Sequence, residues 1–396
     1  TLQRAFNALT PLYIENPKIR EILPFSKEEQ AWLKCYLPQH NHHPNTIYAR
    51  WDANTNFAGK NWKKSFHFFE INAVGIGGLH YAPMADGIIQ DIVLPELRKV
   101  DPHIQLQAND DVRNLLVQEI KTHLKQLNIR QANVALLVDT QCTGGPLDFQ
   151  YLIGYCKKFG ITAKIVDPRE VRMKGDQFYA HDFRIDLFYR DTTLEEMIDL
   201  GRVGHDIRAL GEGFRQNRMI SSLGGEFDHK SVFEIFTHPD FEQYFSKDAV
   251  RYMRRHILWT RLVREIKTPT PEGKMVDLIS FCLKHQRKLV LKPNRSFGGV
   301  DILIGSKTTC KDWEKTIQWA LKHPGSYVVQ IKAPIRKKKF PLILKDHTIA
   351  EKKLNVVCGF IATPQGLGIL GRASSQEIVN VAQGGGMTSI QICLNN

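Results

Sequence analysis

The sequence predicts an α+β protein of two or three domains, in which antiparallel pairs of strands flank a small parallel α/β unit. Three observations lead there. The chain has 396 residues, past the size at which a single hydrophobic core stops growing, and its 42% hydrophobic content is ordinary for a globular protein. Between residues 131 and 215, short apolar runs and a helix-like stretch follow one another as strand, helix, strand. Beyond residue 216, strand-like runs meet across paired glycines, as antiparallel neighbours do.

Residues 1–45 interrupt helix-like stretches with Pro11, Pro17, Pro24, Pro38 and Pro44, which predicts short helices and turns on a surface. Residues 66–72 read as a strand ending in a polar pair, and Gly75, Gly77 and Gly78 turn the chain after it. Leu, Val and Ile with charged spacing predict a helix over 110–127. Strands follow at 134–138, 161–166 and 185–189, with a helix over 148–159 between the first two. Next come a helical block over 231–267, a strand at 288–292, a glycine turn at Gly298 and Gly299, and a strand at 300–304. A helix over 313–322 and a strand at 327–331 continue the pattern. The tail offers strands at 355–361 and 368–371 and a glycine loop at 383–386.

No run approaches the roughly 20 apolar residues that span a bilayer, and the first residues lack the layout of a signal peptide. A soluble, cytoplasmic chain is expected, although Thr at position 1 leaves open a leader removed before it. The seven cysteines are scattered, without a C-x-x-C pair, which predicts reduced thiols rather than a zinc site. The net charge of +13 invites a polyanionic partner. Its densest run, at 332–345 with Arg336, Lys337, Lys338 and Lys339, reads as a solvated loop, and a basic cleft would serve a phosphate-rich small ligand equally well.

The sharpest local feature runs from 289 to 304. Lys292 closes a strand, Pro293 and Asn294 open a short polar loop, and Gly298 and Gly299 turn into a second strand. An ammonium beside flexible backbone N–H groups suits the phosphates of a nucleotide, and a plain hairpin has the same outline. Near the other end, Glu70 and Asn72 stand at i and i+2 of a strand, so both project to one face and can offer oxygens to one hard cation. Asp52 would complete a set small enough for magnesium, which keeps places for phosphate oxygens and water. Arg50 shares the face of Asp52 in an extended stretch and, always charged, can stabilise a transferring group. An exposed polar strand end and a surface arginine are the plain alternatives.

Lys292, Asn294, Gly298 and Gly299 resemble the phosphate-lid hairpin of ATP-grasp enzymes. Lys230, upstream of a helix, resembles the first ATP-contacting lysine of that family, and residues 327–334, with Gln330, Ile331 and Lys332, resemble its adenine-reading hinge strand. In most members the metal carboxylates follow the hinge. Here Glu351 and Glu377 follow it, but no E-x-N does. Instead Arg50 with Asp52, then Glu70 with Asn72, are similar to the R-x-D…E-x-N pattern of circularly permuted relatives, notably glutathionylspermidine synthases. Glu70 and Asn72 with Gly77 and Gly78 also resemble a segment of eukaryotic glutathione synthetases. Arg372 with Gly384 and Gly385 resembles the substrate loop of the latter, without its alanine-glycine pattern, and a flexible tail loop reads the same way. His229, Trp259 and Arg261 also fall where permuted relatives carry similar residues, with packing the better explanation for Trp259. Residues 131–215 resemble a pre-ATP-grasp domain. The turn at 139–145 matches no Walker or dinucleotide fingerprint, and Cys142 has no assigned base.

The resemblance implies a circularly permuted ATP-grasp fold with an inserted α/β domain. Residues 1–130 would carry the metal site, 131–215 the pre-ATP-grasp-like domain, and 216–396 the lysines, lid, hinge and substrate loop. It implies an ATP-dependent carboxylate-amine ligase working through an acylphosphate with Mg²⁺. Lys230, Lys292, Asn294, Gly298, Gly299, Gln330, Ile331 and Lys332 would bind ATP, and Asp52, Glu70 and Asn72 the metal. Arg50 would be catalytic, and Arg372, Gly384 and Gly385 would meet substrate. The expected partners are small-molecule or peptide carboxylates and amines, with no membrane, and nucleic acid belongs only to the second alternative below. Two other readings stay open: a kinase on the same scaffold, and a non-catalytic basic protein that binds nucleic acid.

Overall fold

Alternating side chains make Arg50–Asn54 and Phe68–Asn72 strands with one face toward the core and one toward a cleft. The computed structural model describes all residues except 38–44, 55–61, 142–145, 297, 336, 345, 382–383 and 395–396. Among the described residues its largest sheet has six strands. They run in the order Phe68–Asn72, Arg50–Asn54, Ile349–Thr363, Gly366–Ser374, Gly386–Thr388, with Lys338–Ile343 also paired to Ile349–Thr363. All these pairings are antiparallel. A strand from the first part of the chain is thus clamped between a near neighbour and a strand from the last part.

The core face of this sheet is covered by the first residues. Leu2–Asn7, Leu9–Glu15, Pro17–Ile22 and Lys27–Tyr36 are the expected short helices, and each also buries a face in the core. Phe6, Leu9, Ile19 and Leu23 are fully buried, and Trp51 of the sheet packs edge-on against Phe6 and stacks near Phe233. Pro17 marks a helix start: it follows Asn16, whose side chain accepts from the Lys18 N–H. Proline placement therefore pointed to the short helices but not to the face they bury, and Pro38 and Pro44 lie outside the described residues.

A second sheet has four parallel strands in the order Met219–Ile220, Leu187–Arg190, Asn133–Leu137, Thr162–Val166. Val134, Ala135, Leu136 and Leu137 are all buried, as expected of a parallel strand covered on both faces. The chain leaves Asn133–Leu137 first for one neighbour and later returns to the other, so a crevice opens at the carboxyl ends between Asn133–Leu137 and Leu187–Arg190.

The third sheet, antiparallel, has the order Thr260–Leu262, Tyr327–Ile331, Leu289–Pro293, Leu303–Ile304. Helices Leu278–Lys284 and Cys310–Lys322 cover one side through Cys282, Trp313 and Ile317. The helical block expected over 231–267 is interrupted here. Pro239 divides it, the helix Lys247–His256 ends, and Thr260–Leu262 pairs with Tyr327–Ile331. Trp259, Leu262 and Val263 are buried in that position, and tertiary burial outweighs local helix preference. The basic run was expected to be a loop, yet Lys338–Ile343 is a strand whose Lys339 faces Lys353. Among the described residues no helix is long and apolar enough to cross a membrane.

Candidate functional site

The functional side chains come from facing surfaces of the two antiparallel sheets. In the large sheet Asp52 stands across from Glu70 and Arg50 across from Asn72, and alternation sends all four side chains to one face. On the other flank Asp52 faces Gly359, and Val357 of the same strand faces Arg372, which brings Arg372 to that face too. Gly359 makes room for the cluster. A Cβ there would lie 2.4 Å from Arg50 Cδ and 2.9 Å from Asp52 Oδ1.

Asp52 is 1% exposed and surrounded by donors. Arg50 Nε donates to its Oδ1 at 2.9 Å, while Oδ2 accepts from Arg372 at 2.7 Å, Asn72 Nδ2 at 3.2 Å and the second arm of Arg50 at 3.3 Å. Burial pushes this carboxyl up, but Arg372 and Arg50 outweigh it and hold Asp52 below the usual carboxylate range. Arg50 also donates to the Gly77 carbonyl at 3.1 Å. Lys230 meets Glu70 at 3.2 Å and donates to the Ser296 carbonyl at 2.6 Å, which ties the upstream lysine to the face that carries Asp52 and Glu70 and to the glycine loop.

From the opposite sheet, the Lys292 ammonium donates to Gln330 Oε1 at 2.7 Å and sits 5.0 Å over the Phe69 ring. Gln330 Nε2 donates in turn to the Phe69 carbonyl at 3.1 Å and to the Thr260 hydroxyl at 2.8 Å. Burial lowers Lys292 to about 8, even though Glu70 pulls the other way. Between the sheets lies a cavity of ≈ 970 Å³, at the upper end of the range for small-molecule sites. Arg50, Asp52, Glu70, Asn72, Lys292, Gly298, Gly299, Gln330, Lys332 and Arg372 all line it. Four cations, Arg50, Lys230, Lys292 and Arg372, surround two carboxylates, Asp52 and Glu70, a local excess of positive charge suited to a polyanion.

The other expected site residues lie elsewhere. Lys230 stands behind Glu70, outside the cavity wall. Asn294 is buried: its Oδ1 accepts from the Ser231 N–H at 2.8 Å, its Nδ2 donates to the Gly325 carbonyl at 3.0 Å, and its own carbonyl accepts from the Lys230 N–H. It braces the two lysine-bearing segments against each other. Ile331 donates its N–H to Trp259 and also lies off the wall. Gly384 and Gly385 form a turn, with Gly384 at φ +80°, while the residues just before them, Glu377 to Val381, face the cavity. Trp259 donates to the Pro269 carbonyl and packs on Phe281, an anchor as expected. Arg261 is fully buried and donates to Thr268 and Thr237. His229 is buried beside Phe25, and burial, with Arg295 and Lys230, keeps it neutral. Cys142, Phe297 of the lid, Arg336 and Lys345 of the basic run, and Gln383 of the tail loop lie outside the described residues.

Three groups of lining residues escaped the sequence reading. Asp148, Asp191 and Glu196 reach the cavity from the carboxyl ends of the parallel strands. Asp148 accepts from the Gly78 and His80 N–H groups at 2.6 and 3.0 Å, fixing the glycine turn over the cavity. Burial first, then Glu196 and Asp148, raises Asp191 to about 6. Glu377 accepts from Lys332 and pairs with Lys307, fastening the tail segment to the hinge strand. Asn355 donates to the Gln376 carbonyl at 2.6 Å and steadies the same segment. The switch-point rule for parallel sheets could have drawn attention to Asp191, which directly follows a strand.

Among the described residues no group of three or more His, Cys, Asp or Glu side chains is placed to hold a metal. A cation here would rest on Asp52, Glu70 and Asn72 with oxygens brought by the ligand, the partial shell magnesium accepts. Asn72 now turns its Nδ2 toward Asp52, and half a rotation of the amide would present its oxygen instead. The donor set fits a metal that arrives with a polyphosphate better than a metal alone.

Among solved structures the chain is similar to a glutathione synthetase-like effector from Globodera pallida in its apo form. The TM-score is 0.60 at 11% identity, over 98% of this chain and 86% of that one. A provisionally named gamma-glutamylcysteine synthetase from Methylobacillus flagellatus gives a TM-score of 0.46 at 11% identity, over 97% of this chain and 87% of that one. No family model and no curated protein matches the sequence. At this identity the first likeness concerns the fold, a mixed helix and sheet architecture of the glutathione synthetase-like kind.

Proposed function

We propose that the chain is an ATP-dependent carboxylate-amine ligase of the circularly permuted ATP-grasp type. The supporting observation is that residues from opposite ends of the sequence, Arg50, Asp52, Glu70 and Asn72 on one side and Lys292, Gln330 and Arg372 on the other, line a single cavity. The insertion of Arg50–Asn54 beside Ile349–Thr363 supports the permuted reading, since a first-part strand completes a last-part sheet.

In this reading the base enters the apolar slot of Val290, Ile302, Ile304, Ala333 and Ile335, and the phosphates extend toward Lys292, with the charge of Lys230 held behind Glu70. Magnesium, when bound, supplies charge neutralisation between the phosphates and the Asp52 and Glu70 face. Arg50 and Arg372 hold positive charge where the transferring phosphoryl group would pass. A substrate carboxylate oxygen attacks the γ-phosphorus and ADP leaves. The amine then attacks the acyl carbon, phosphate departs with the bonding pair, and the amine gives its proton to water. The acidic wall of Asp148, Asp191 and Glu196 is the part of the cavity whose charge suits the amine. The side chains contribute position and electrostatics, as in other phosphoryl transfers.

The test is ADP release with ATP and Mg²⁺ against a panel of amino acids, short peptides and amines, repeated with hydroxylamine. An acylphosphate yields a hydroxamate, whereas a kinase yields a stable phosphorylated product and none. Glu70→Ala and Asn72→Ala should abolish turnover while circular dichroism stays native. Full turnover in both variants refutes the assignment.

A further inference from the structure

We infer that Arg372 holds the place of the metal on Asp52 and is the group that a metal must displace to bind. The inference rests on the nucleotide reading above and concerns how the same site is kept ready. Asp52 Oδ2 already accepts from three donors, Arg372, Asn72 and Arg50, more than its lone pairs can serve well. A cation approaching this oxygen has to evict one of them.

The three are not equally held. Arg50 has a second acceptor in the Gly77 carbonyl, and its stem fills the space that Gly359 leaves free. Asn72 is a neutral amide that can rotate in place to present its oxygen. The Arg372 guanidinium, by contrast, makes its ion pair with Asp52, and among the described residues no other hydrogen-bond acceptor is assigned to it. It also lines the cavity and so has somewhere to go. The ion pair fixes the Asp52 carboxylate in its present orientation. Arg372 keeps it aimed until a divalent cation takes over, and its own positive charge then remains in the cavity.

This makes a prediction of unusual sign. Deleting a cation from an anion site ordinarily weakens binding throughout, but Arg372→Ala should tighten the metal, because a charge-assisted hydrogen bond no longer has to be broken. Mg²⁺ is titrated by calorimetry into protein held at a saturating concentration of a non-hydrolysable ATP analogue, and the analogue alone is titrated in EDTA. In Arg372→Ala the apparent Mg²⁺ affinity should rise about tenfold over wild type, while analogue affinity in EDTA stays equal or falls. Arg372→Gln, which keeps much of the volume, should move in the same direction and guards against a folding failure of the alanine variant. Equal or weaker Mg²⁺ affinity in both variants overturns the inference and leaves Arg372 a simple anion-binding or structural residue. Analogue binding to wild type that ignores Mg²⁺ overturns it too, with the nucleotide reading intact. No analogue binding under either condition removes that reading and the inference together.

Discussion

Raising the pH from about 7 to 10 perturbs one group of the site more than any other. Lys292 is held at about 8 from an ordinary 10.5, chiefly by burial. In the ligand-free protein it is therefore about nine-tenths charged at pH 7, half charged at pH 8 and about one-tenth charged at pH 9. A polyphosphate resting against Nζ favours the ammonium and should return its pKa to the ordinary value or above. Binding at pH 8 then takes up roughly half a proton, and the logarithm of affinity falls toward a slope of −1 between about 8 and 10.5. The full effect is about 300-fold, or about 3 kcal/mol. Calorimetry of a non-hydrolysable ATP analogue with Mg²⁺ at pH 8, in two buffers of different ionisation enthalpy, measures the proton directly. Lys292→Gln should bind more weakly and lose the buffer difference. Identical heats in both buffers, with affinity flat from about pH 7 to 9.5, would show that no phosphate approaches Lys292. The ligand-free protein carries the mirror image. Because the unfolded chain holds more protons on this lysine between about 8 and 10.5, its contribution makes native stability rise with pH across that window.

Asp191 has the opposite linkage. Its folded value of about 6 exceeds the unfolded 3.8, so the native state holds more protons between those values and loses stability as pH rises through them. Asp191→Asn should raise the melting temperature at pH 7.5 by the equivalent of about 2 kcal/mol, after allowance for partial exposure, with no difference left below about pH 4. Asn294→Ala removes hydrogen bonds from the buried Ser231 N–H and the Gly325 carbonyl. Urea denaturation should show a loss of about 3 kcal/mol. If Asn294 touched nucleotide instead, binding would fall with stability unchanged. Gly359→Ala places a methyl 2.4 Å from Arg50 Cδ. It should cost about 1–3 kcal/mol and lower nucleotide affinity, read by denaturation and calorimetry on the same sample.

The local part of the site was legible because strand alternation is a local rule. Glu70 and Asn72 at i and i+2 had to share a face, as did Arg50 and Asp52, and the pairing of the two strands then united the four. Lys292 at a strand end beside paired glycines was similarly readable. Asp191, Glu377 and Gly359 were not, because each acquires its place from a partner distant in sequence. Asp191 enters through the crossover order of the parallel sheet. Glu377 enters through Lys332 and Lys307. Gly359 matters only because Arg50 and Asp52 lie across from it. The bracing role of Asn294 was hidden for the same reason: its amide is taken by the Ser231 N–H and the Gly325 carbonyl, both distant in sequence. The first helices were legible as helices and illegible as core, since Phe6 reveals its burial only once Trp51 is set against it.

The clamping of Arg50–Asn54 beside Ile349–Thr363 has a consequence for how the chain is made. During synthesis Arg50–Asn54 can pair with Phe68–Asn72 soon after both emerge, but its other edge finds its partner only after some three hundred further residues have left the ribosome. Through that interval the nascent chain exposes an unpaired strand edge, the kind of surface that recruits chaperones or other copies of itself. Asp52 and Arg50 meanwhile lack the guanidinium of Arg372. Ile349–Thr363 and the strand that carries Arg372 therefore both seal that edge and complete the charge cluster, so a chain interrupted before them would be able to aggregate but unable to assemble this cavity.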